Sequence, residues 1–424
     1  MIKSLIMTKI KKIFIYFFLT FFLIFTFYYN RSVIFSSIKQ ILPSSIKSVI
    51  KVIKSNELST KQLNNDYNTK FLPESQFVNL SFKKIKTNIQ NSNISGYANF
   101  LKTKTSTFYI DTYKNNLFLF YKNGESYYSN IDGINESGLN LNKIKNDLKN
   151  ISISDILINN SKIYLTGSLK IDENCNKFTV YESNIDFKIF EFTEIFQDPN
   201  CYGFIQGGRV QYYPKDNSIL VSTAADILKN QIDKKPQDVN SLMGKIIKIN
   251  LDNVKDYGIY SSGHRNIIGM YANEDVILAT ENGPRGGDEI NLIKKGKNYG
   301  WPISSYGEKY KKLNQDEPFY KKSHSDFGYK EPIYSFVPSI GISEIIKIEN
   351  NFTKQWVNNF LIASLFSRHI YRVSFDKKYL KVKYMEKIYI GERIRDMKYY
   401  DDLIFLALEE TNSVGILKLK TSNR

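Results

Sequence analysis

Beyond about residue 70, short apolar runs of Ile, Val, Leu, Phe and Tyr recur between Asn, Asp, Gly and Lys, and sustained helical periodicity is scarce. Runs of this length with polar punctuation predict β-strands. A turn of Asn, Asp or Glu leads directly into an apolar strand six times, at Asn115-Asn116, Asn159-Asn160, Asp216-Asn217, Glu274-Asp275, Asn358-Asn359 and Asp401-Asp402. The shortest intervals match the ~40–45 residues of one propeller blade, and the longer ones imply insertions. Gly244–Asp252, Arg368–Asp376 and Val414–Leu419 share a strand with a basic residue inside it, which would follow in the same blade. Asn and Asp tolerate turn geometry in any β protein, so an array of β-sandwiches is the rival arrangement. Six units at quasi-regular spacing predict an all-β, six-bladed β-propeller over residues 71–424.

The start of the chain has a different pattern. From Ile13 to Tyr29 only Thr20 and Thr26 interrupt an apolar run, with Lys3, Lys9, Lys11 and Lys12 before it and Arg31 after it. As a helix it would span ~26 Å, close to the hydrocarbon core of a bilayer, with Tyr28 and Tyr29 at the interface. This predicts an N-terminal transmembrane helix in a membrane anchor, residues 1–31. The preceding lysines favour a cytoplasmic N-terminus and export of the rest of the chain to the periplasmic or extracellular side. A cleaved signal peptide is the alternative, but Phe27-Tyr28-Tyr29-Asn30-Arg31 lacks the small-x-small pattern that cleavage requires. Residues 32–70 are polar and lysine-rich, with one amphipathic stretch from Ile46 to Ile53, and read as a stalk.

Charge adds one constraint. Lys and Arg number 59 against 42 acidic residues, a formal charge of +17, which would attract acidic ligands, polyanions or an anionic lipid surface. The lysines are scattered and form no dense block interleaved with aromatics, which argues against a nucleic-acid partner. Cys175 and Cys201 are the two cysteines; an exported compartment would permit them to pair, and their spacing matches no metal site.

Between Gly263 and Gly307 glycine and charge are concentrated: Gly263-His264-Arg265-Asn266, then Glu281-Asn282-Gly283-Pro284-Arg285-Gly286-Gly287-Asp288-Glu289, then Gly296-Lys297-Asn298-Tyr299-Gly300-Trp301-Pro302. Such connections let backbone approach a ligand closely, and Asp288 with Glu289 offers hard oxygens suited to calcium. A set of merely tight blade connections is the alternative.

These three motifs together resemble the signature of the pyrroloquinoline quinone (PQQ)-dependent aldose and glucose dehydrogenases, the glucose/sorbosone dehydrogenase family. Gly207-Gly208-Arg209-Val210 and the stretch from Asp238 extend the resemblance upstream, and Pro338–Gly341, Ala363-Ser364-Leu365 and Arg393-Ile394-Arg395-Asp396 extend it downstream. It covers residues 203–419. From Asn65 to Asn200 no motif is visible, the family's early Gly-Leu-Leu-Gly segment included.

The resemblance implies a quinone seated over the central channel of the propeller, oxidising the anomeric hydroxyl of a sugar. By motif position Arg265, Asn266, Arg393 and Arg395 would hold PQQ. Guanidinium forks bind carboxylates in pairs and polarise quinone oxygens, and alternate positions 393 and 395 put two forks on one strand face. The match assigns Ca²⁺ to Glu289 and to Tyr299 through its backbone carbonyl, and sets the backbone of Gly283 and Pro284 beside the cofactor, where the family can hold a second calcium.

Two positions depart from the family. The histidine that removes the sugar's proton is replaced by Ile205, which accepts no proton, and general-base help contributes roughly 10²–10⁴-fold. A lysine that touches the cofactor is replaced by Phe366. Of the three histidines, His264 belongs to a turn motif, His324 to a polar loop and His369 to a repeated strand; none stands in for the base on sequence grounds, and Asp238 or Glu281 is the substitute to examine. The sequence therefore leaves three functions: a sugar-oxidising quinoprotein, an inactive propeller that binds a saccharide or an envelope partner, or a purely structural propeller.

Overall fold

The computed structural model describes residues 70–71, 78–89, 106–134, 138–225, 234–309, 320–349 and 352–420. The predicted membrane segment and almost all of the predicted stalk lie outside the described residues. Among the described residues no helix is long and apolar enough to cross a membrane.

The strands form six sheets, each a blade of an all-β, six-bladed propeller. Their innermost strands are Phe108–Tyr113, Ile151–Asn159, Gly207–Tyr213, Ile267–Ala272, Ile342–Lys347 and Ile394–Tyr400, for blades 1 to 6. Each packs against the innermost strands of the blades before and after it, and blade 6 packs against blade 1, so the ring is closed. The last blade is completed from the other end of the chain: Leu80–Lys86 runs antiparallel to Ser413–Leu419 as its outer strand.

The six turns read from the sequence each precede the second strand of a blade. Five of them depend on the left-handed backbone that Asn and Asp tolerate: φ is 58° at Asn115, 56° at Asn160, 47° at Asn217, 60° at Asn358 and 55° at Asp401. The three basic-centred stretches are third strands, as expected.

Period-two alternation explains why these strands read as nearly continuous apolar runs. In blade 3, Ile219, Val221, Ile247 and Ile249 face blade 2, while Leu220 and Ile246 face blade 4. Both faces of a blade are covered by its neighbours, so both sets of alternating side chains are apolar. The apolar core is accordingly divided into six clusters, one at each junction between consecutive blades.

The channel carries charge instead. Arg209, from blade 3, places one guanidinium nitrogen 2.9 Å from Asp155 of blade 2, 2.7 Å from Glu344 of blade 5 and 3.2 Å from Asp396 of blade 6. Its other nitrogens donate to the carbonyls of Ile268 in blade 4 and Arg395 in blade 6. Lys398 pairs with Asp111 of blade 1 at 3.5 Å, and Asp111 also accepts from the backbone of Ile158 in blade 2. All six blades are joined through this buried network.

Candidate functional site

Every sequence-nominated residue lies at one end of the ring, where the innermost strands begin. Arg265 and Asn266 end the connection from blade 3 to blade 4. Gly283 and Pro284 lie in the turn between the second and third strands of blade 4, and Glu289 is in that third strand, Asp288–Leu292. Arg393 and Arg395 flank Ile394, the first residue of the innermost strand of blade 6.

Five of the sequence-nominated residues meet in one cavity. Gly283, Pro284, Glu289 and Tyr299, the proposed metal group, line it together with Arg265, Trp301, Glu281, Ser304 and His324. The turn closes tightly around it: a Cβ on Gly283 would lie 2.1 Å from the carbonyl oxygen of Gly287, so only glycine fits. Asp288 fastens this turn to blade 5, accepting from Gly283 N at 3.0 Å, Ser339 Oγ at 2.9 Å, Ile340 N at 3.0 Å and Ile342 N at 2.9 Å. Its oxygens are committed to structure, which corrects the expectation that Asp288 is available to calcium alongside Glu289.

A chain of polar contacts orders the cavity wall. Ser261 Oγ lies 2.8 Å from His264 Nε2, and His264 Nδ1 lies 3.0 Å from Glu281 Oε2. The other oxygen of Glu281 accepts from the backbone N–H of Arg265. Asn291 donates to Glu281 at 3.3 Å and to Glu289 at 3.2 Å. Glu289 in turn pairs with His324 at 3.3 Å, and His324 Nδ1 lies 2.8 Å from Ser304 Oγ. Burial works against the imidazolium of His324, but the Glu289 carboxylate outweighs it and holds the ring above its ordinary pKa. Sequence placed His324 in a polar loop, whereas it is buried in the site. Its segment has no periodicity to reveal this, and only the fold brings it to Glu289.

Arg265 lies over the Trp301 ring at 5.3 Å and donates to the Asn282 carbonyl at 2.7 Å. Its Nε is buried without a hydrogen-bond partner, as is Oδ1 of Asn266. Arg393 and Arg395 share one acid. Their Nε atoms lie 2.7 and 2.8 Å from the two oxygens of Glu409, as alternation on one strand face predicts. Burial alone would push the Glu409 carboxyl up, but Arg395 and Arg393 hold it below its ordinary value. Glu409 carries no family motif, and the sequence reading missed it.

Ile205 is buried in the apolar cluster between blades 2 and 3, with Tyr202, Val210, Val221 and Met243. The loop that carries it is pinned by a Cys175–Cys201 disulfide and by paired backbone hydrogen bonds between Asn176 and Tyr202. Glu281 is fully engaged as described, so it is not a free base. Asp238 is exposed, and one of its oxygens accepts from Asn240 N at 2.9 Å. Phe366 is exposed on blade 5. His369 opens the third strand of that blade, its Nδ1 against the Ser367 carbonyl.

The profile of the family described as Glucose / Sorbosone dehydrogenase matches residues 104–418. This chain belongs to that family. The family is one of sugar dehydrogenases, and the match includes blades 1 and 2, where the motif reading found nothing. The chain is 30% identical to the aldose sugar dehydrogenase YliI of Escherichia coli over 203 residues, 44% of this chain and 53% of that protein. It is 43% identical over 77 residues to quinoprotein glucose dehydrogenase B of Acinetobacter calcoaceticus, 16% of each. The matched stretch thus spans about half the length of the first relative and less of the second. The crystal structure of the soluble aldose sugar dehydrogenase from Escherichia coli in the apo-form superposes with a TM-score of 0.64 at 20% identity, covering 80% of this chain and 99% of that one. That likeness shows the propeller fold.

Proposed function

We propose that this chain is a quinoprotein that oxidises the anomeric hydroxyl of a sugar, with PQQ seated over the mouth of the channel. The observation that carries this reading is the pair of buried, unpartnered polar atoms, Arg265 Nε and Asn266 Oδ1, at the same end of the ring as the two arginines on Glu409. A buried donor without a partner costs ~1–3 kcal/mol, and a ligand rich in carboxylates and quinone oxygens would relieve the donor at Arg265. Arg393 and Arg395 spend their Nε atoms on Glu409, and Arg393 Nη1 also donates to the Leu365 carbonyl at 3.4 Å, leaving Nη2 of Arg393 and the end of the Arg395 fork for such a ligand. When bound, the quinone would accept the hydride from the sugar carbon; the chain's part is to bind the cofactor, orient it and receive the proton.

The proton acceptor differs from the family's. With Ile205 buried among apolar side chains and Glu281 hydrogen-bonded on both oxygens, Asp238 is the carboxylate left from the sequence candidates. Calcium would be held by Glu289, the Tyr299 carbonyl and the backbone of Gly283 and Pro284. Their meeting in one cavity supports this, although among the described residues no three acidic, histidine or cysteine side chains form a metal cluster. Calcium would compete with His324 for Glu289.

The burial of Ile205 also favours a second reading, a propeller that binds saccharide without oxidising it. The Cys175–Cys201 disulfide supports an oxidising, exported location, in keeping with a membrane anchor in residues 1–31. Calorimetric titration of the full chain with PQQ, with and without Ca²⁺, followed by dye reduction with a panel of aldoses, tests the proposal. Cofactor binding with turnover supports it. Cofactor binding without turnover selects the saccharide-binding reading, and no binding at high micromolar PQQ sinks the quinoprotein.

A further inference from the structure

Blade 1 contributes no recognisable motif, yet it places a lysine beside the arginine pair. Lys122 directly succeeds the second strand of blade 1, Asn116–Tyr121, at the mouth end of the ring. Its backbone is fixed on both sides: its N–H donates to the Thr107 carbonyl at 3.0 Å, and its carbonyl accepts from Ile153 N in blade 2 at 2.9 Å. Thr107 continues the connection, its hydroxyl donating to Glu409 Oε2 at 3.3 Å. Lys122, Thr107, Glu409, Arg393 and Arg395 therefore form one contiguous group spanning blades 1 and 6.

The charges in this group do not balance. Two guanidinium groups already share the Glu409 carboxylate, and the Lys122 ammonium lies within electrostatic reach of both Arg395 and Glu409. The half-buried ammonium of Lys122 has no hydrogen bond or ion pair among the described residues. Burial and the nearby charge of Arg395 push it below its ordinary pKa, with Glu409 acting in the opposite sense. An ammonium partly removed from water, close to a second cation and without an acid of its own, is stabilised by an incoming anion.

We infer that Lys122 is a third cationic contact for the carboxylates of the bound ligand, acting with Arg393 and Arg395 from the neighbouring blade. This deepens the quinoprotein reading and rests on it, since the ligand it commits to is the tricarboxylate PQQ. It gives blade 1 a direct part in the site, and the positive charge at the mouth then extends across the junction that closes the ring.

The test is equilibrium titration of the full chain with PQQ for wild type, Lys122→Gln, Lys122→Arg and a remote surface control, Lys188→Gln. Loss of one charge-assisted contact is expected to weaken binding of K122Q about 10–100-fold, with K122R and K188Q close to wild type. A second measurement uses wild type alone and so does not depend on the folding of a variant. Acetylation of Lys122, followed by mass spectrometry, should slow about tenfold or more when PQQ is bound, while Lys188 reacts unchanged. If wild type binds PQQ but K122Q binds equally well, or Lys122 is acetylated at the same rate with and without cofactor, this inference fails and the quinoprotein reading stands. If wild type binds no PQQ, both fall together.

Discussion

Glu409 sits where two arginines need an anchor, and its own ionisation shows how strongly they need it. Its carboxyl is held below the ordinary value although burial opposes that. A depressed acid adds stability above its unfolded pKa, ~4.3 for Glu, and the contribution is lost as pH falls through the lower folded value. Glu409→Gln is therefore expected to be less stable than wild type at neutral pH, with the deficit shrinking as pH drops below about 4.3. Parallel thermal melts across pH 2–7 would check this, and a deficit that stays constant through the acid range would exclude the assignment. At this scale sequence is a good guide where a motif exists. Arg265, Asn266, Arg393 and Arg395 are legible from local words in the chain, and all four lie at the mouth. Glu409 and His324 are not, because each acts through a partner brought close only by the fold: Glu409 takes a hydrogen bond from Thr107, 302 residues away.

Among the elements, the loop that carries Ile205 is both packed into the core cluster and tethered to blade 2. The Cys175–Cys201 bond closes a loop across a sequence separation of 26, and chain entropy assigns about 2–4 kcal/mol to such a link. The double variant Cys175→Ser, Cys201→Ser is expected to lose that much in denaturant unfolding. A midpoint unchanged from wild type would show that the backbone pairing of Asn176 with Tyr202 suffices. Sequence legibility at this scale tracks the turns. Asn and Asp mark the second strands because five of the six turns require a left-handed residue. The outer strands are harder to see: Asn142–Asn146 in blade 1 carries one buried apolar side chain, Ile144, among polar ones, and such a half-exposed strand carries little hydrophobic signal.

Across the whole molecule, the channel network decides how the blades depend on one another. Arg209 answers three carboxylates from three other blades, so removing it strands several buried charges at once. Arg209→Met is expected to cost ~3–5 kcal/mol or more, measured by equilibrium unfolding, with loss confined to one blade as the contrary result. One guanidinium also cannot neutralise three acids. Burial pushes Glu344 up to about 8, with Arg209 pulling against it and Asp396 and Asp155 reinforcing it. A raised acid keeps a proton that the unfolded chain gives up, so stability declines as pH rises from ~4.3 toward that value. Glu344→Gln should flatten this decline, seen as a gap over wild type that widens from pH 5 to 8 in thermal melts; a gap that narrows over the same range would contradict it.

Completion of blade 6 by Leu80–Lys86 has a consequence for how the chain is made. Lys84 meets Glu392 across 308 residues, and its strand finds its partner only when Ser413–Leu419 has been synthesised. Five blades can assemble in order of emergence, while this early-made strand must wait unpaired for the last. That strand carries Lys83, Lys84 and Lys86, and lysines on a free strand discourage pairing with stray sheet edges. Part of the chain's basic character thus protects a segment during the interval before the ring can shut.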